Sequence, residues 1–206
     1  MSTITAKDGT EIYYKDWASH RAWSSKEGRM KLIAIAVTTV VALCGWTLRA
    51  DAQSSEVTTE YLMTYLAPTE RYPIDSSTVV SSVRPGGWVK GPRVSGKIIP
   101  PGGDWLRIMP SGVARLDVRL LIEADDGAHI YMTFNGIVVL SKEVTDALSR
   151  GEVVTDKTVP YFVTAPTFQT SSEKYGWLNK VQAVGKMVEY KRGEGAYSKF
   201  DVFIVR

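Results

Sequence analysis

The stretch from Ala114 to Phe134 constrains this chain more than any other. Ala114 to Ala124 alternates along its length: Ala114, Leu116, Val118, Leu120 and Ile122 share one face, and Arg115, Asp117 and Arg119 share the other. Asp125-Asp126-Gly127 then turns the chain into a second alternating run, Ala128 to Phe134. Strand side chains point to opposite faces in turn, and an Asp-Gly step between two alternating runs is a strong hairpin signal. A lone hairpin is marginal in water, so this one needs further strands.

The rest of the chain after Val57 supplies them. Thr58 to Ala67 is a β-rich run stopped by Pro68, and Ser77 to Arg84 is stopped by Pro85-Gly86-Gly87. Val94 to Ile99 ends at Pro100-Pro101-Gly102-Gly103, and Asp104 to Met109 ends at Pro110-Ser111-Gly112. Tyr161 to Gln169, Val181 to Tyr190 and Tyr197 to Val205 follow, with Arg192-Gly193-Glu194-Gly195 as the last turn. Proline presets a turn value of φ and glycine supplies positive φ, so these clusters are breaks between strands. One segment is helical: Ser141 caps Lys142 to Arg150, Val144, Ala147 and Leu148 form its apolar stripe, and Gly151 ends it. A second short turn is expected at Glu173 to Leu178. No repeat period is visible, which argues against a solenoid or propeller. Many short, regularly spaced strands predict an all-β antiparallel sandwich or barrel, and composition alone does not choose between them.

Upstream, Met30-Lys31 is followed by an apolar run from Leu32 to Trp46 and then by Ala50-Asp51-Ala52. A basic start, an apolar stretch and an A-x-A site make a secretory signal peptide beginning at Met30. An uncleaved membrane anchor and a core helix are the alternatives, although the uncharged run falls short of the roughly 20 residues of a comfortable span. The expected organisation is an extension over 1–29, a signal peptide over 30–52 and a β-barrel domain over 53–206. Such a protein is periplasmic or secreted when translation starts at Met30, and otherwise membrane-anchored through the leader. Residues 5–17 resemble the opening β-hairpin of chloroperoxidase-like α/β-hydrolases, with Asp8-Gly9 as the turn. No G-x-S-x-G elbow follows, so no hydrolase is inferred.

Two motif blocks carry a second resemblance. The first runs from Gly102-Gly103-Asp104-Trp105 through Leu116-Asp117-Val118-Arg119 to Asp125-Asp126-Gly127 and Ile130-Tyr131. The second comprises Tyr161 to Phe168, Tyr175-Gly176-Trp177-Leu178-Asn179 and Val184-Gly185. Together they resemble the bacterial family known as domain of unknown function 3237, or uncharacterised protein family 0311. The resemblance implies a small closed antiparallel barrel, calycin- or streptavidin-like, with room for one small ligand. It implies no activity.

The chemistry is restricted by what is scarce. The chain has one cysteine, Cys44, and two histidines, His20 and His129, too few for a structural zinc site or a disulfide framework. Its net charge of +3 is spread out without a Lys/Arg run, which argues against nucleic acid as a partner. No metal or cofactor is expected.

The candidate ligand site is Trp105, Asp117, Arg119 and Tyr131 in one concave mouth, with Tyr175, Trp177 and Asn179 at its rim. In the functional reading Asp117 is an acid/base and Arg119 holds a carboxylate or enolate oxygen. In the bland reading Asp117 and Arg119 are a solvated surface pair, Trp105 is a core tryptophan, Asp104 caps its own turn, His129 is a surface histidine and the aromatic loop plugs a barrel end. Three functions stay open. The first is a barrel that binds a small aromatic or carboxylated molecule. The second is a cofactor-independent isomerase, cyclase or lactone-type enzyme, and the third is a structural barrel with a filled lumen. Oligomeric state is not legible.

Overall fold

The computed structural model describes residues 2–5, 11–14 and 56–206. The chain divides into two compact units, Met1–Asp51 and Ala52–Arg206. In the first, strands β1 (Ser2–Thr5) and β2 (Glu11–Tyr14) pair antiparallel, with Ile4 opposite Ile12. This is the hairpin expected around Asp8-Gly9. The signal-peptide segment over 30–52 lies outside the described residues.

The second unit is a closed antiparallel barrel. Its strands are β3 (Thr59–Pro73), β4 (Thr78–Val83), β5 (Gly87–Lys90), β6 (Gly96–Ile108), β7 (Ala114–Ala124), β8 (His129–Val139), β9 (Val153–Thr155), β10 (Tyr161–Gln169), β11 (Ala183–Lys191) and β12 (Tyr197–Val205). The ring runs β10–β8–β7–β6–β4–β3–β12–β11, and β11 returns to β10. That closing seam is short: only Val163↔Lys186 and Thr164↔Gly185 pair across it. Two side chains reinforce it. The Thr164 hydroxyl donates to the Gly185 carbonyl at 3.4 Å, and the Gln182 amide donates to the Pro166 carbonyl at 3.0 Å. Gly185 has to be glycine, because a Cβ there would collide with the Thr164 hydroxyl.

Helix α1 (Lys142–Ser149) matches expectation. Ser141 accepts from the Val144 N–H at 3.3 Å, and Val144 and Leu148 are buried. A 3-10 turn spans Gly176–Lys180. Strands β7, β10 and β12 have the expected bounds.

Prolines were misleading as stops at two places. β3 continues through Pro68 to Pro73, because Pro68 sits where the strand changes neighbours. Thr64 to Leu66 pair with β5, and Thr69 to Pro73 pair with β4. A missing N–H costs little at such a junction. Likewise β6 is one strand and not two. Pro100-Pro101-Gly102 lie in an irregularity between Ile99↔Leu121 and Gly103↔Arg119, where unpaired residues are tolerated. The short strands β5 and β9 had no visible signal of their own.

Candidate functional site

Inward positions follow from the alternation. On β7 the apolar face, Leu116, Val118, Leu120 and Ile122, is buried and lines the lumen. Asp117 and Arg119 therefore point outward. They pair at 3.0 Å on the outer wall with side chains about half exposed, 51% and 45%. Trp105, 46% exposed, lies beneath the Arg119 guanidinium at 5.2 Å, and Tyr131, 39% exposed, is on the same outer surface. The four residues are thus brought together, but on a broad open trough outside the barrel and not in its mouth. Burying the apolar face of β7 outweighs hiding two charges.

The rim residues also depart from expectation. Tyr175 is buried in the core, and Trp177 packs against that core with the Arg93 guanidinium 3.6 Å above its ring. Asn179 is spent on structure: its side chain accepts from the Thr170 N–H at 2.9 Å and donates to the Thr170 carbonyl at 2.8 Å. His129 is exposed, 3.9 Å from Glu123.

The lumen itself has two halves. In one, Met63, Ile98, Ile122, Ile130, Met132, Met187, Val202 and Ile204 fill the interior with at most 1% exposure each. In the other, an inner cavity of about 70 Å3 remains. Its apolar wall includes Leu106, Leu116, Phe134, Phe162 and Phe200, and its polar lining includes Tyr65, Arg71, Ser81 and Asp104. The aromatic rings hold one another: Tyr65 stacks on Phe200 at 5.4 Å, and Phe162 meets Phe200 edge-on at 5.1 Å. Outside the inner cavity lies a vestibule of about 420 Å3 that shares Arg71, Leu106, Phe162 and Tyr190 with it and is bordered by the start of α1.

Asp104 is the central group. Between the pairs Asp104↔Val118 and Arg107↔Arg115 the β6–β7 ladder opens, and the Asp104 carboxylate accepts the Asp117 N–H at 3.1 Å. A side chain thus replaces a backbone rung. Burial pushes the Asp104 carboxyl up to about 6; the Asp117 N–H and the Arg71 charge pull the other way, and the Asp117 carboxylate adds to the rise. Burial, with some help from Asp104, holds the Tyr65 phenol well above its ordinary range, so it stays protonated. Burial lowers Arg71, and the nearby Arg192 charge lowers it further, while Tyr190 and Asp104 oppose the shift.

Signals for this site were present in the sequence. Asp104 stands two residues before Leu106, and Arg71 continues the series Tyr65, Ala67, Thr69 at strand spacing. Reading Gly102-Gly103 and Pro68 as strand ends concealed both.

Residues 58–205 match a family described as protein of unknown function (DUF3237). The chain belongs to this family. Among curated relatives, an UPF0311 protein of Clostridium acetobutylicum is 42% identical over 92 residues, covering 45% of this chain and 58% of that protein. The hydroalkoxylation enzyme phnH of Penicillium herquei is 35% identical over 101 residues, 48% of this chain and 51% of the enzyme. The chain thus aligns with little more than half the length of either relative. Among solved structures, a conserved protein of unknown function from Rhodopseudomonas palustris superposes with a TM-score of 0.65 at 30% identity, covering 73% of this chain and 98% of that one. A β-barrel-like protein from Acinetobacter baumannii AYE gives 0.58 at 28% identity over 73% and 97%. The DUF3237 barrel described above is therefore shared by proteins with no assigned chemistry and has a relative that is named an enzyme.

Proposed function

We propose that this DUF3237 barrel is a cofactor-independent enzyme that moves a proton on a small aromatic or carboxylated molecule held in its lumen. Asp104 is the acid/base, Tyr65 donates a hydrogen bond to the developing oxyanion, and Arg71 orients the substrate at the cavity edge. One observation carries the proposal: the Asp104 carboxyl lines the inner cavity beside Tyr65 and Arg71, and burial there pushes it up to about 6. An acid/base works best when its pKa lies near the working pH, and burial strengthens every charge interaction around it.

The name of the Penicillium herquei relative supports the same class of chemistry. Hydroalkoxylation adds an alcohol O–H across a C=C bond. A carboxylate takes the hydroxyl proton, oxygen bonds to one alkene carbon, and the proton is returned to the other. Nothing is oxidised or reduced, and only an acid/base is required.

The test uses the full chain and a panel of small phenols carrying a neighbouring alkene, incubated in D2O. Ring closure with one deuterium gained per turnover is the expected product signal by mass spectrometry. Asp104→Asn should lose about a hundredfold or more of the rate. An unchanged rate in that variant would sink the proposal. The proposal extends to location: translation from Met30 exports the barrel and removes everything through Ala52.

A further inference from the structure

Five arginines of the described barrel, Arg84, Arg93, Arg119, Arg150 and Arg206, pair with a carboxylate. Arg107 and Arg115 lack such a pair but are exposed to water. Arg71 and Arg192 differ from both groups. Each is half-buried, both line the vestibule, and neither has a carboxylate within ion-pairing distance among the described residues. Asp104 acts on Arg71 only from farther away. The Arg192 Nε–H donates to the Tyr190 hydroxyl at 3.2 Å, which leaves its two terminal amino groups free of that bond. Two half-buried guanidiniums facing one opening repel each other, and burial has taken water from Arg71. That arrangement is unfavourable unless an anion completes it.

The walls indicate the anion. Tyr190 and Phe162 meet edge-on at 5.7 Å, and Leu106 and Ile108 add flat apolar surface. Guanidiniums bind planar oxyanions through two parallel hydrogen bonds, and aromatic walls accept a ring. Lys142 also borders the vestibule but is committed to Asp146 at 2.6 Å.

We infer that the vestibule holds a small aromatic carboxylate, with its carboxylate on Arg71 and Arg192 and its ring against Leu106, Phe162 and Tyr190. This orientation directs the far end of the molecule into the inner cavity, toward Asp104. The inference rests on the lumen being the working site proposed above, and it names the substrate class and its direction of entry.

Benzoate, benzamide and inorganic phosphate are the probes, titrated into the full chain by calorimetry and by NMR. Benzoate should bind saturably and shift the signals of Phe162 and Tyr190. Benzamide, of the same shape without the charge, should bind at least about tenfold more weakly, and Arg192→Gln should weaken benzoate by a similar factor, as expected for loss of one charge-assisted contact. Arg71→Gln should weaken it further while the far-UV dichroism stays that of the wild type. Equal binding of benzoate and benzamide, or benzoate binding unmoved in Arg192→Gln, would overturn the assignment. So would displacement of benzoate by equimolar phosphate, because the site would then be a phosphate site. Asp104→Asn separates the two ideas. It should keep or tighten benzoate binding, since a negative charge is removed, even though it slows turnover about a hundredfold or more. Turnover at an unchanged rate in that variant defeats the proton-transfer reading and leaves the carboxylate site standing.

Discussion

At the scale of single residues, the contrast between Asp104 and Asp117 decides what this barrel can do. Both belong to the same motif block, and they are linked by one hydrogen bond, yet one faces the lumen and the other faces water. The inward carboxyl is raised by burial to about 6, from an ordinary value of 3.8. The folded state therefore holds this proton more tightly than the unfolded chain does. Below 3.8 both states are protonated and the shift has no effect on stability. Between 3.8 and about 6 stability falls as pH rises, and above that the whole penalty is present. Asp104→Asn should accordingly melt several degrees higher than the wild type at pH 7.5 and about equally at pH 3.5, provided the amide oxygen still accepts the Asp117 N–H. Differential scanning calorimetry at the two pH values checks this. The Asp117 amide signal should itself titrate with a midpoint near 6 in a pH series of 1H–15N spectra, because its acceptor changes charge. The outer pair behaves differently. Arg119→Leu should change unfolding free energy by less than about 1 kcal/mol, since exposed pairs are worth little. The sequence showed the Asp-x-Arg pattern plainly but not its direction. Alternation pointed outward, and only the motif resemblance had suggested the lumen. The opposite holds for Asp104, whose strand spacing to Leu106 pointed inward past a Gly-Gly pair that read as a turn.

At the scale of elements, the seam between β10 and β11 is the weakest rung of the ring. Two backbone pairs close it, against nine pairs between β10 and β8. Gly185→Val places a branched side chain against Thr164 where no space exists. The expected cost is about 1–3 kcal/mol, as for other overpacked interiors. Hydrogen exchange should then show lost protection across residues 161–169 before other strands. Equal protection in variant and wild type would mean that closure does not depend on this contact. Strands with an uninterrupted alternating pattern, such as β7 and β12, were legible to the residue. β3 and β6 were not, because Pro68 at a change of neighbours and Pro100-Pro101 inside an irregularity cost the ladder little, and sequence alone does not reveal where neighbours change; β10 runs through Pro166 and was legible all the same. β5 and β9 are four and three residues long, too short for periodicity to speak.

At the scale of the whole molecule, the change of texture at Val57 coincides with the start of the family match at residue 58. Residues 53–206 alone should therefore melt within about 2 °C of the full chain, a difference of no more than about 1 kcal/mol for a domain of this size. A large drop would assign part of the core to the preceding segment. Protein recovered from the periplasm of an expressing cell should begin at Gln53 on N-terminal sequencing, and a sequence beginning at Ser2 would refute cleavage. The barrel's interior was legible as apolar but not as divided, because which half is filled depends on side-chain volumes meeting across the ring. That division has a consequence for traffic. With one half packed solid, the cavity beside Asp104 is a cul-de-sac, and whatever enters past Arg71 must leave by the same route. If the lumen works as proposed above, arrival and departure exclude each other, so product should obstruct substrate in simple competition, and the residues at the mouth should govern residence time as well as choice of ligand.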